Sequence, residues 1–456
     1  MPLETLRRKS IWTTGSKNAA AFALLNALLL SSGCEQRTES PTASVRTAPI
    51  RAPHKTLSLS PMSEDIRFGV NVSSANDPAW GPAVLGLTRD AGIGWIRLDF
   101  RWAEMQGSEN ASIDTTQVAA AVRYANERGL NILGTIIGSP GWANGGQATT
   151  DDYPPLPAKY PAWKSFVDQL VQAFPASRVK YWSIWNEPND FPHFRADTLV
   201  YDTLLTLAAT SIHAANAKVA APEVAIGSTA PVNWLAHVLK KNGSRVDVVT
   251  VHFYGASSNI TGAMDTLATQ VGRRLTTSWT WPLWLTETNV GNTPTEAQQA
   301  GALDTIYRHV PPASSHWTKT FWFHLYTTED GKRLLTNKYD ATAAITDSSQ
   351  IRVTPSFANY RDIANPLSAE ISGPTTIDRN TIASFSALAS GGAPWGDPSY
   401  TYLWTARYGT QVFATGNDAT FDVAPPSTGL TFSVRLVVTD GRGTERSILR
   451  TISITH

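Results

Sequence analysis

At 456 residues, 42% of them apolar and 16% charged, the chain can bury a sizeable core; it is neither a disordered polyelectrolyte nor the carrier of a long basic arm. Its 38 basic and 37 acidic side chains leave a net charge of +1, which offers no electrostatic capture of nucleic acid or of an anionic membrane. One Cys excludes an intrachain disulfide and a zinc site built on several thiolates, while 16 Trp, 13 Tyr and 15 Phe point to aromatic-rich cores or to flat rings lining a site for flat ligands such as sugars.

Residues 1–34 read as an export signal. Arg7, Arg8, Lys9 and Lys17 precede an apolar run from Ala19 to Leu30, and the small residues Ser31, Ser32 and Gly33 follow it. A bilayer span needs about 20 residues, so this run is too short to be one. Ser32-Gly33-Cys34 resembles the cleavage box of bacterial lipoproteins, although Ser31 stands where Leu is preferred; the alternative is an ordinary secretory signal with an incidental Cys. Acylation at Cys34 would hold the protein on a membrane surface facing away from the cytoplasm, in the periplasm or on the cell exterior. Residues 35–65 are rich in Ser, Thr, Pro, Arg and Gln and read as a flexible tether.

From residue 66 to 365, β-branched runs alternate with helical periodicity. Strands are expected at Phe68–Val72, Trp95–Asp99, Asn131–Ile137, Val179–Trp185, Val224–Ser228, Val246–His252, Leu283–Glu287 and Thr320–Tyr326. Between them, Val118, Ala121, Val122 and Ala125 recur at helical spacing before Gly129, and Phe166, Val167, Leu170, Val171 and Phe174 do the same. Thr293-Pro294-Thr295-Glu296 reads as a cap, an N1 proline and a capping-box Glu. Eight strand–helix repeats without a Rossmann or P-loop fingerprint predict an α/β fold, a closed (β/α)8 TIM barrel.

Residues 366–456 change pattern. Thr381–Leu388, Tyr400–Thr405, Ala419–Val423, Thr431–Thr439 and Ser447–Thr455 alternate apolar and polar residues between Gly, Pro and Asp-Gly turns. Phe432, Val434, Leu436 and Val438 are expected inside with Trp404, and Arg435 and Thr439 outside, giving a small all-β Ig-like sandwich. Tyr402-Leu403-Trp404-Thr405 and Val437-Val438-Thr439-Asp440-Gly441 resemble PKD-type domains.

The chemistry concentrates at the expected C-terminal ends of the barrel strands, the face on which barrels build active sites. The fourth strand ends Trp185-Asn186-Glu187-Pro188-Asn189 and the seventh Trp284-Leu285-Thr286-Glu287-Thr288-Asn289. Either Glu alone is as readily a surface charge or an ion-pair partner. Together at one mouth they form the pair that glycosidic cleavage needs, one neutral to protonate the leaving oxygen and one ionised at the anomeric carbon.

At these residues the barrel resembles the retaining glycoside hydrolases of clan A, most strongly at Trp185-Asn186-Glu187-Pro188. The resemblance implies Glu187 as acid/base and Glu287 as nucleophile, with Asn186 on the sugar 2-hydroxyl. It also implies that Tyr254 of the His252-x-Tyr254 pair bonds the nucleophile and that Arg97 keeps it ionised. His252 could equally be a satisfied strand-end histidine, and Arg97 could pair with Asp99. Trp322 matches the clan's aromatic on the eighth strand; Trp142 is placed to stack on a sugar, with Trp80 and Trp102 as weaker candidates and Trp163 and Trp182 as packing residues. His324 is open between mouth and core. A double-displacement mechanism implies carboxyls about 5–5.5 Å apart. It also implies that Glu187 is the more desolvated of the two and the higher in pKa.

Without His-Glu-x-x-His, Gly-x-Ser-x-Gly or a ligand-spaced His cluster, metalloprotease and α/β-hydrolase chemistry have no support, and neither metal nor cofactor is implied. The expectation is a monomeric, exported β-glycosidase acting on a poly- or oligosaccharide, with internal cleavage of a long chain favoured by the tether and the mouth aromatics. The alternative is a non-catalytic glycan-binding or adhesion lipoprotein on a decayed barrel.

Overall fold

A computed structural model describes residues 59–72, 75–147, 150–191, 193–227, 231–254, 260–290, 295–308, 316–326, 333–341, 343–392, 400–441 and 443–455. The expected signal peptide, Cys34 and residues 35–58 of the tether lie outside the described residues, as do Thr293 and Pro294 of the expected cap. No helix among the described residues is long and apolar enough to cross a membrane.

One parallel sheet organises the first domain. Its strands are β1 (Phe68–Val72), β2 (Trp95–Arg101), β3 (Asn131–Ile137), β4 (Tyr181–Ile184), β5 (Lys218–Val219), β6 (Val224–Ala225), β7 (Val249–His252), β8 (Leu283–Thr288) and β9 (Trp317–Trp322), in the order β5-β4-β3-β2-β1-β9-β8-β7-β6. The two ends of that order, β5 and β6, are halves of a single fifth stave: β5 pairs with β4, β6 pairs with β7, and Ala220 between them bridges Val248. The sheet thereby curls into a TIM-barrel-like core. Where β4 and β6 would otherwise pair, the Asn189 side chain takes both roles, donating to the Ala225 carbonyl at 3.0 Å and accepting from the Ala225 N–H at 2.9 Å.

Helices surround this sheet: α1 (Gly81–Asp90), α2 (Trp102–Met105), α3 (Thr116–Glu127), α4 (Gly141–Asn144), α5 (Tyr160–Ala173), α6 (Thr198–Ala214), α7 (Pro231–Asn242), α8 (Ile260–Leu275), α9 (Glu296–Arg308) and α10 (Pro355–Ala364). The stripes that predict them are the faces they bury: Ala121, Val122 and Ala125 on α3, and Phe166, Val167, Leu170 and Val171 with Trp163 on α5. Gly129 follows α3 at φ 66°, a left-handed position that suits a residue without Cβ. The cap of α9 lies two residues later than expected: Thr295 Oγ1 accepts from the Gln298 N–H at 3.2 Å, and the Gln298 side chain accepts from the Thr295 N–H at 2.9 Å. Gln298, not Glu296, completes the capping box, and Glu296 instead pairs with Arg352.

Packing begins before residue 66. The Leu59 and Met62 N–H groups donate to the Glu127 and Gly129 carbonyls at 2.9 and 2.8 Å, and Glu64 pairs with Lys180 at 2.6 Å. The last turn of the expected tether is therefore part of the barrel's floor. Above it, Trp95, Leu133, Tyr181, Ala220, Val248, Trp284 and Phe321 plug the N-terminal end, with the Lys319 ammonium 4.7 Å from the Trp95 ring and 5.2 Å from Trp284.

A short antiparallel pair, β10 (Leu335–Asn337) and β11 (Ile351–Val353), leads into α10. The chain then forms two antiparallel-rich sheets, one of β12 (Ser368–Ser372), β14 (Ala383–Ser390) and β17 (Thr420–Val423), the other of β13 (Thr376–Asp378), β15 (Tyr400–Tyr408), β16 (Gln411–Gly416), β18 (Thr431–Asp440) and β19 (Glu445–Thr455). Their core contains Phe432, Val434, Leu436 and Val438, and Trp404 lies fully buried, stacked on Phe421 at 5.5 Å. Arg435 faces solvent as its alternation predicts.

Candidate active site

Residues on or beside five strands, β2, β4, β6, β7 and β8, form one buried polar cluster at the barrel mouth. After β4 the backbone turns left-handed at Trp185 (φ 66°) and again at Glu187 (φ 46°), costly positions for residues with a Cβ. The Trp185 ring is buried and its Nε1 donates to the His193 carbonyl at 3.0 Å, which anchors the kink. Opposite, the β8 ladder shifts register between Leu285 and Thr288. That irregularity lets two successive residues, Thr286 and Glu287, both serve the interior instead of alternating. His252 ends β7, Arg97 lies on β2, and Glu223 precedes β6 at φ 61°.

Glu187 and Glu287 meet around His252. The His252 Nδ1 is 2.9 Å from Glu187 Oε1 and 3.5 Å from Glu287 Oε2, and carboxylate oxygens of the two Glu residues lie within 4.8 Å of each other. Glu287 is gripped from two further directions: Arg97 Nη1 is 3.0 Å from its Oε1, and the Tyr254 hydroxyl donates to its Oε2 at 2.6 Å. Arg97 also donates to Asn186 Oδ1 and to Asn71 Oδ1, each at 2.9 Å, and sits 3.7 Å from Asp99. Both expected partners of Arg97, the carboxylate and Asp99, are thus present, with Glu287 the nearer.

Glu223 is a third carboxylate of this cluster and the one that sequence reasoning misses. Fully buried, it receives Arg97 Nη2 at 3.1 Å, the Thr286 hydroxyl at 3.1 Å and a short bond from His252 Nε2. The visible signal is a lone acid in the apolar run Val219-Ala220-Ala221-Pro222-Glu223-Val224-Ala225, directly before the strand expected at Val224–Ser228. His193 was likewise missed; its Nδ1 lies 3.1 Å from Glu187 Oε2 and 3.2 Å from Asp190 Oδ2 on the loop after β4.

These contacts set the charge states. Burial works to raise the Glu223 pKa, but Arg97 and His252 hold it down to about 2. Burial works against the His252 cation, yet the charges of Glu287 and Glu223 and its bonds to Glu187 and Glu223 push its pKa up to about 10. Burial also raises Glu287, and here it outweighs His252 and Arg97, with the Glu187 charge adding to it. For Glu187, burial is overcome by the hydrogen bond and charge of His252, so it ends below the ordinary carboxylate value. The expected order of the pair is therefore reversed. Glu187 is the less desolvated, its side chain 13% exposed against 7% for Glu287. Burial and the Glu287 charge keep the Tyr254 hydroxyl protonated as a donor, while the rest of that residue lines the opening.

The aromatic expectations divide. Trp142 on α4 is partly exposed, its Nε1 donating to the Gln106 carbonyl at 3.1 Å and its ring edge-on to Trp102. Trp322 has no exposed surface and packs 6.0 Å from Tyr307, so it presents no face to a sugar. The ring at the mouth on that side is Phe323, one residue on, edge-on to Tyr254 at 6.0 Å. Trp80 and Trp102 are buried too, as are Trp163 and Trp182, the last two as expected of packing residues. His324 is partly exposed.

Among the described residues, two sets could bring ligand atoms to a metal, Glu187 with Asp190 and His193, and Glu187 with His252 and Glu287. In the second, the Arg97 guanidinium and the His252 cation already occupy the anions, and a metal ion there would face both positive charges.

Residues 162–351 match the family model described as the glycosyl hydrolase catalytic core. That stretch contains Glu187, Glu223, His252, Tyr254 and Glu287. Among solved structures, the chain is similar to a glucosidase from Croceicoccus marinus, with 13% identity, coverage of 85% of this chain and 96% of that one, and a TM-score of 0.51. It is equally similar in fold to a family 39 glycoside hydrolase from the gut symbiont Bacteroides cellulosilyticus WH2, with 16% identity, 80% and 82% coverage and a TM-score of 0.51. A search of curated protein sequences gives no match.

Proposed function

We propose that the chain is a retaining glycoside hydrolase that cleaves β-linked poly- or oligosaccharides by double displacement. The observation that carries this reading is the approach of Glu187 and Glu287 to within 4.8 Å across the mouth, with Tyr254 and Arg97 both on Glu287. The spacing favours direct attack over the inverting arrangement, which separates the carboxyls by about 6.5–9.5 Å to admit a water. Glu287 attacks the anomeric carbon while Glu187 protonates the departing oxygen; Glu187 then deprotonates the water that releases the sugar. Arg97 can only donate, so its bond to Asn186 Oδ1 turns the Asn186 amide nitrogen toward the sugar 2-hydroxyl.

The pKa order gives this mechanism a particular form. Burial raises Glu287 while the bond and charge of His252 lower Glu187, so the free enzyme favours ionisation at Glu187, the opposite of what the first step needs. A sugar that covers the open side of Glu187 removes its solvent and moves the proton toward it. The enzyme is exported and held by a lipid at Cys34, works as a monomer, and carries an Ig-like domain of PKD type; tethering and the Trp142 and Phe323 rings suit internal cleavage of a long glycan. A panel of β-glycans and aryl β-glycosides with product analysis tests the reading. Oligosaccharide products support internal cleavage, single sugars terminal cleavage, and glycan binding without turnover on any of them would leave the adhesion alternative.

A further inference from the structure

Glu223 is in an expensive position. A carboxylate without exposed surface loses its hydration and must be paired to stay charged, and its backbone is held left-handed at φ 61°. The surroundings are built to hold it there: Thr250 Oγ1 accepts from its N–H at 2.8 Å, Arg97 donates from Nε at 3.4 Å and approaches with Nη2 at 3.1 Å, and Thr286 and His252 fill the remaining lone pairs. None of these contacts reaches the open side of the mouth.

We propose that Glu223 is a positioning residue whose fixed negative charge sets the proton count of the Glu187/Glu287 pair, by holding His252 as the imidazolium that bonds Glu187 and by offsetting the charge of Arg97. This rests on the glycosidase reading above. Arg97 and His252 bring two positive charges against Glu187 and Glu287, and a balanced set of that kind would keep both carboxylates ionised and leave no acid. A third, buried anion makes the cluster one charge short, and a single proton shared by Glu187 and Glu287 makes up the deficit. Double displacement starts from that state, one acid beside one nucleophile. The depressed pKa of Glu223 and the raised pKa of His252 agree with it.

The other groups around the cluster are paired outside it and do not supply this charge: Asp99, 3.7 Å from Arg97, also meets Arg101 at 3.2 Å, and His193, 3.1 Å from Glu187, also meets Asp190 at 3.2 Å. His252 is faced by Glu187, Glu223 and Glu287. Glu223 is faced by Arg97, His252 and Thr286, by Ser183 from β4, and by Tyr201 from α6. Tyr201 stays neutral, its hydroxyl donating to the Ile184 carbonyl at 3.1 Å, and the neighbouring Asp202 is taken by His237 and Lys241 at 2.9 and 3.2 Å.

Removing a buried anion lowers the pKa of every titratable neighbour. Glu223→Gln, which keeps the shape, should move both limbs of the pH profile of kcat/KM to lower pH, by about one to three units. Glu223→Asp, which keeps the charge, should return the limbs to their native places. A uniform loss at every pH with the limbs unmoved would make Glu223 a packing residue and overturn the proposal. The native protein gives a second readout that needs neither a variant nor turnover: in ¹⁵N NMR the His252 ring nitrogens should keep imidazolium shifts through pH 8. Titration of His252 near its ordinary value of about 6.5 would overturn the proposal whatever the fate of the glycosidase reading.

Discussion

Glu187 and Glu287 reach the same imidazole nitrogen from opposite sides of the barrel mouth, Nδ1 of His252 lying 2.9 Å from one and 3.5 Å from the other. The two are not equivalent. Glu287 is locked by Arg97 and Tyr254, whereas the second oxygen of Glu187 faces His193 on a surface loop. Glu287→Gln should therefore abolish turnover on every substrate. Glu187→Gln should cost about 10²–10⁴-fold on substrates with poor leaving groups and far less on a nitrophenyl glycoside, which needs little protonation. Equal losses of glycosylation rate across a leaving-group series would remove Glu187 from the acid role.

The pH profile should carry the mark of the reversed pair. Loss of the proton shared by Glu187 and Glu287 sets the basic limb of kcat/KM, and because the Glu187 charge raises the Glu287 pKa this limb should lie above the ordinary carboxylate value; Glu187→Gln should remove it, measured with an activated aryl glycoside. A basic limb that persists unmoved in this variant would contradict the assigned coupling.

His252 links the site to stability. Its folded pKa of about 10 is above the unfolded value, so its contribution is fully present below about pH 6.5 and is lost as pH rises from there toward 10. Melting curves of the native protein and of His252→Gln should differ most below pH 6.5 and converge as pH rises through 8.5. A gap that is constant with pH would mean that His252 is neutral in the fold.

Most of the barrel was legible because parallel strands buried on both faces are plain apolar runs: Phe68–Val72 and Asn131–Ile137 coincide with β1 and β3. The fifth stave was legible only in part. The expected strand at Val224–Ser228 contains β6, but β5 is a two-residue half too short for periodicity to register, and past β5 the ladder with β4 gives way to one Asn189 side chain. Trp322 was expected to face the mouth and is buried instead, since reading which face a strand residue takes requires the register, and the β8–β9 ladder is irregular there. The order of the carboxylate pKa values depends on relative burial and on the bond that His252 gives to Glu187, neither of which residue spacing encodes.

The aromatic correction has its own test. Trp322→Ala should cost about 3–5 kcal/mol of stability, as for other buried Trp truncations, read as a lowered unfolding midpoint. Phe323→Ala should leave the midpoint close to native and raise KM. The opposite pattern would restore Trp322 as the sugar platform.

The mechanism is tested most directly by the anomeric configuration of the first-formed product, followed by proton NMR during hydrolysis of an active β-glycoside before mutarotation sets in. Double displacement through Glu287 predicts that the β configuration appears first and the α form only later. An α product at the earliest time points would mean that water, not Glu287, attacks the anomeric carbon, and would contradict the account.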